Sequence, residues 1–82
     1  MDANQALKAR VCTLMADILA VDEAAITDAA TFDDLGVDSL TAAQLLSAVE
    51  DEFGITIEDE AIPTIISFPS LIEAIAQAGG HA

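Results

Sequence analysis

After Arg10 the chain carries fourteen carboxylates and no Lys or Arg. Its only two such cations, Lys8 and Arg10, lie within the first ten positions. Internal ion pairs are therefore nearly unavailable, and the carboxylates repel one another. Any fold must be held by apolar burial instead. The supply is modest. The 82 residues are 54% hydrophobic, but seventeen are Ala, so the core falls to a limited set of Leu, Ile, Val and three Phe. A chain of this length buries only roughly 60–65% of its unfolded surface. One small domain spanning residues 1–82 is the expectation.

The apolar spacing is helical. Leu7, Val11, Leu14 and Ile18 form one stripe of a helix over residues 5–19, widened by Met15 and Leu19, with Asn4 or Asp2 as cap. Residues 20–37 read as a long connection rich in turn and cap formers, pinned by Ile26, Phe32 and Leu35. Asp38 opens a second helix reaching Phe53, and Gly54 is placed to end it. Its inner face is Ala42, Leu45, Leu46, Val49 and Phe53. Thr41, Gln44, Ser47, Ala48 and Asp51 lie on the other side. Asp59 is a candidate cap for a short third helix with Pro63 near its start. The last helix follows Pro69, with Ser70 and Glu73 at capping-box spacing and Leu71, Ile72 and Ile75 inward. Residues 79–82 read as a frayed tail. The expected fold is all-α: a small four-helix bundle of three main helices and a short third one, with a long loop between the first two.

Several functions are excluded or made remote. An acidic surface rejects nucleic acid and anionic membrane and steers basic partners. No apolar run approaches ~18 residues, and Met1 leads into polar residues with no apolar signal region, so a cytoplasmic monomer is expected. Cys12 alone cannot form an internal disulfide and reads as a packed thiol. His81, the only histidine, is in the tail, so no triad or structural zinc site can be assembled. The run from Asp33 to Asp38 places Gly wrongly for a calcium loop, and no specific metal site is expected. The chain has no catalytic apparatus of its own, so another protein must act on it.

Ser39 opens the second helix, exposed and directed away from the core. A helix start favours an anion by typically ~0.3–1 kcal/mol, so a phosphodiester would suit its hydroxyl. The other reading is a plain first-turn residue behind an Asp38 cap, and position alone favours it.

The residues around it add more. Phe32-Asp33-Asp34-Leu35-Gly36-Val37-Asp38-Ser39-Leu40 closely resembles the phosphopantetheine attachment motif of acyl carrier proteins. Glu50-Asp51-Glu52-Phe53-Gly54-Ile55 is similar to the segment that follows in that family, and the likeness extends more weakly over the whole chain. The resemblance implies a 4'-phosphopantetheine arm moved from coenzyme A to Ser39 by a phosphopantetheinyl transferase. The arm's thiol would carry acyl groups as thioesters. It implies docking roles for Asp38, Leu40, Gln44, Glu50 and Asp51, and an acyl pocket lined by Leu46, Val49, Ile57 and Ile65. Those last four also read as ordinary core. Implied partners are a loading enzyme for acyl or aminoacyl groups, and a ketosynthase, acyltransferase or other thioester-processing enzyme.

Two departures bear on the pathway. Thr41 and Gln44 are neutral where carriers of fatty acid synthesis generally place acids, and Ile62 and Pro63 replace polar residues. These point to a stand-alone carrier in polyketide or mixed polyketide–peptide synthesis. The alternatives are a fatty-acid-synthesis carrier, and an aminoacyl or peptidyl carrier loaded by an adenylating enzyme. From other classes come an unmodified acidic helical protein that sequesters a basic partner, and a calcium-responsive protein.

Overall fold

The structure, a computed structural model, describes residues 3–80. Three α-helices, α1 (Ala3–Leu19), α2 (Ser39–Phe53) and α3 (Phe68–Gln77), are joined by connections that each contain one 3-10 turn, Glu23–Ala25 and Ile62–Thr64. Among the described residues there is no strand, only an isolated antiparallel bridge between Thr31 and Ser67. The all-α expectation holds, but the short third helix is the single turn Ile62–Thr64. Its cap position is Ala61, which offers no side-chain acceptor, and Ile65 already leaves in an extended conformation. Asp59 does not cap it; its carbonyl accepts the Ile62 N–H at 3.2 Å.

The helix starts also differ from expectation. Asn4 lies inside α1, and Asp2 falls outside the described residues. The buried stripe of α1 is Leu7, Val11 and Met15, one residue every turn, with Leu14, Ile18 and Leu19 at its half-buried margin. Helix α3 begins before Pro69, because Phe68 is the first residue of its apolar face and is only 5% exposed. The capping box is therefore Ser67 with Ser70. Ser67 Oγ accepts the Ser70 N–H at 3.4 Å, and Ser70 Oγ accepts the Ser67 N–H at 2.9 Å. Glu73 instead accepts from Gln77 one turn on, at 3.3 Å.

All three α-helices end alike. The N–H of Val21, Ile55 and Gly80 donates back to the carbonyl of Ala16, Glu50 and Ile75, at 3.1, 3.1 and 2.8 Å. This closure needs a left-handed residue just before the donor. Gly54 and Gly79 supply it without strain, and Ala20 adopts it at φ 56°. Gly79 and Gly80 thus cap α3 and are not a frayed tail; His81 and Ala82 lie outside the described residues.

Helix α1 packs on both α2 and α3. The core joins its stripe to Leu45, Leu46 and Val49 of α2, to Phe68, Leu71, Ile72, Ala74 and Ile75 of α3, and to Ile26, Phe32, Ile57 and Ile65 of the connections. Ile26 and Phe32 are the buried anchors of the long loop, and Leu35 is half-buried. Among the described residues no charged or polar side chain is buried. The described salt bridge is that of Arg10 with Glu52, and the Arg10 guanidinium also lies 4.9 Å from the Phe53 ring centroid.

The molecule measures 31 × 27 × 20 Å. A Debye length of ~30 Å at 10 mM salt lets every carboxylate feel the others, whereas ~10 Å at 0.1 M restricts repulsion to neighbours. Melting temperature should rise by about 5 °C between 10 mM and 0.5 M sodium chloride, the effect of about 1 kcal/mol of relieved repulsion. A flat salt profile in thermal melts followed by circular dichroism would refute this.

Candidate functional site

The segment before α2 is a continuous hydrogen-bonded unit. Thr31 and Asp34 exchange reciprocal bonds, Thr31 N–H to Asp34 Oδ2 at 3.1 Å and Asp34 N–H to Thr31 Oγ1 at 3.2 Å. One helical turn follows. The Val37 N–H closes it on the Phe32 carbonyl at 2.9 Å, and Gly36, at φ 75°, makes the left-handed step that this closure requires. Phe32 is buried, and its N–H donates to the Ile66 carbonyl at 2.8 Å, tying the turn to the start of α3. Thus Phe32, Leu35 and Gly36 of the motif anchor and close a turn.

Asp38 then caps α2 from an extended backbone, its Oδ1 accepting the Thr41 N–H at 2.8 Å. That N–H holds the Asp38 carboxyl below its ordinary value. A folded-state value below the unfolded one means that the contribution to stability is present above the unfolded pKa. It is lost as the pH falls below roughly 4, through the folded value. Asp38→Asn should therefore match wild type in melting temperature at pH 7 and lose less than wild type between about pH 4 and pH 2. Identical acid profiles for the two proteins would show that Asp38 carries none of the acid response.

Ser39 is the first residue of α2 and is exposed. Leu40, beside it, is 69% exposed, and Ile66 is 61% exposed. Ser39, Asp38, Phe32, Val37, Ala42, Ile65 and Ile66 share a groove of about 360 Å³. The anion held by the helix N–H groups is the Asp38 carboxylate. The exposed Ser39, with an apolar groove beside it, fits a phosphate-linked arm.

The other sequence-derived site residues divide clearly. Gln44 and Asp51 are exposed along α2. Glu50 is half-buried, and its Oε2 accepts the Ile57 N–H at 2.8 Å. Leu46, Val49, Ile57 and Ile65 are all core residues. Ile65 lines the groove at Ser39, and Ile57 lines a separate cavity of about 440 Å³ against α3. Leu46 and Val49 line neither. A larger groove of about 750 Å³, between α1, the Val21–Glu23 segment and Glu52, contains none of these residues. Sequence reasoning missed Ile66, whose only signal is an apolar residue directly after Ile65. It also missed the Thr31–Asp34 exchange, which has the spacing of a capping box.

Cys12 is half-buried, and burial, followed by the nearby Glu23 carboxylate, pushes its thiol up. Both effects disfavour the thiolate, the reactive form of a cysteine. Among the described residues no three or more His, Cys, Asp or Glu side chains gather to hold a metal ion. None of the described helices is long and apolar enough to cross a membrane.

Residues 9–76 match the family described as the phosphopantetheine attachment site. The fold resembles the crystal structure of an acyl carrier protein from Thermotoga maritima, with 29% sequence identity and a TM-score of 0.77, covering 92% of this chain and 88% of that one. Proteins of this family carry acyl groups rather than transform them, on a covalently attached 4'-phosphopantetheine, and they work with phosphopantetheinyl transferases and acyl-processing enzymes. With the family spanning most of the chain and the fold agreeing with it, this protein belongs to the phosphopantetheine-attachment family of acyl carrier proteins.

Proposed function

We propose that Ser39 receives the phosphopantetheine arm and that the chain serves as a carrier in polyketide or mixed polyketide–peptide synthesis. The observation that carries the assignment is the exposed Ser39 hydroxyl, held on the Asp38-capped start of α2 beside an apolar groove. Ser39 Oγ attacks the phosphorus that bears the pantetheine of coenzyme A. An O–P bond forms as the pyrophosphate linkage of coenzyme A breaks, adenosine bisphosphate leaves, and the hydroxyl proton passes to a base on the transferase. The attached arm then supplies a thiol for thioester formation.

Asp38, Leu40, Gln44 and Asp51 form the face offered to partners. Beyond Asp38, Thr41 and Gln44 leave the early part of α2 without further charge, which favours partners other than those of fatty acid synthesis. Exposed acidic contacts speed encounter while adding little lasting affinity, which suits a carrier that must leave each enzyme quickly. The domain acts as a monomeric, cytoplasmic carrier without catalysis of its own. Incubation with coenzyme A and a broad-specificity phosphopantetheinyl transferase should add one arm by intact mass, and no mass gain would refute the carrier assignment. The charged product should then accept an extender acyl group from a polyketide-type acyltransferase. Loading only by an adenylating enzyme, or turnover only with fatty-acid-synthesis enzymes, would refute the pathway.

A further inference from the structure

The Glu50-Asp51-Glu52 run does not present three equivalent charges. Glu52 is held by Arg10 of α1. Glu50 reaches forward seven residues to the Ile57 N–H, with Oε2 at 2.8 Å. Asp51 is exposed.

The Glu50 contact has a backbone cause. Gly54 makes a left-handed step at φ 64°, and the chain reverses onto the Glu50 carbonyl through the Ile55 N–H. Beyond it the segment has neither helix nor ladder, so the Ile57 N–H has no backbone partner and needs an acceptor. The Ile57 side chain is 6% exposed, and the residue walls the cavity it shares with Thr56, Ala61, Ala74 and Ala78. A shift of the Ile57 backbone would move that wall.

We propose that Glu50 is a positioning residue. Its side chain fixes the 55–57 segment, and with it the Ile57 wall of the cavity against α3, instead of meeting a partner. What the contact requires is an acceptor at the right reach, not a negative charge. Glu50→Gln keeps the reach and a carbonyl oxygen but loses the charge. Glu50→Asp keeps the charge but loses the reach.

The test compares wild type, Glu50→Gln, Glu50→Asp and Asp51→Asn as full chains. Amide hydrogen exchange at Ile57 should quicken about tenfold or more in Glu50→Asp, and stay within about threefold of wild type in Glu50→Gln and Asp51→Asn. A second readout rests on the carrier assignment: the KM of a phosphopantetheinyl transferase acting with coenzyme A. It should be unchanged in Glu50→Gln and raised about two- to fivefold in Asp51→Asn. Equal Ile57 exchange in all four proteins would overturn the proposal. So would a KM rise in Glu50→Gln matching that of Asp51→Asn. If wild type took up no arm, the carrier assignment would fall and the exchange data alone would still decide the role of Glu50.

Discussion

Ser39→Ala should take up no phosphopantetheine and still melt within about 3 °C of wild type. The two halves of this expectation have different physical origins. On the proposed assignment the arm needs the Ser39 hydroxyl, and alanine has none. The next hydroxyl along the chain, that of Thr41, belongs to a half-buried residue two positions further into the helix. Stability is indifferent because the cap of α2 is Asp38, whose carboxylate accepts the Thr41 N–H. Ser39 is exposed in the first turn, where alanine is the better helix former by a few tenths of a kcal/mol, roughly. Intact mass after transferase treatment reads the first half, and a thermal melt reads the second. An equal mass gain on Ser39→Ala would place the arm elsewhere. A loss of more than about 10 °C would show that Ser39 supports the fold as well.

The second helix was legible because three signals agree there: a capping acid, a period-four apolar face and a glycine at the end. The position of Ser39 inherits that legibility, since it is defined by the helix start it occupies. The last helix was placed three residues late because the serine pair Ser67–Ser70 and the pair Ser70–Glu73 have the same spacing. Only packing decides between them. Phe68 is needed in the core, and that draws the helix start back to Ser67. The third helix was over-read for a related reason. Asp59 and Pro63 look like start signals, but Ile62 remains 40% exposed and Ile65 supplies the segment's buried side chain, too little apolar surface to hold a longer helix.

Glu50 shows the opposite limit. Its sequence context is a run of three acids on a surface helix, which reads as a charged face. Its contact is with a backbone N–H seven residues later, brought near by the left-handed step at Gly54. No side-chain pattern encodes that approach. The terminal glycines were misread for the same reason, because the bond that orders Gly80 runs to a backbone carbonyl.

Leu45→Ala should lower stability by about 3 kcal/mol, a fall in melting temperature of roughly 10–25 °C. Leu45 is fully buried in α2, among the core residues that join α2 to α1 and α3. Truncation removes both the transfer free energy of the lost carbons and the contacts of the atoms that faced them. A chain of this length has a total stability of only about 4–12 kcal/mol, so the loss is a large fraction of it. The repulsion among its carboxylates makes that fraction larger at low salt, and the variant should be partly unfolded in 10 mM buffer. Leu40→Ala is the matched control: the same substitution in the same helix, at a residue 69% exposed. It should cost less than about 0.5 kcal/mol, and on the carrier assignment it should still weaken turnover with partner enzymes. Chemical denaturation of both variants measures the contrast. Equal losses at positions 40 and 45 would mean that Leu40 is buried in solution, and the apolar face beside Ser39 would then be unavailable to any partner.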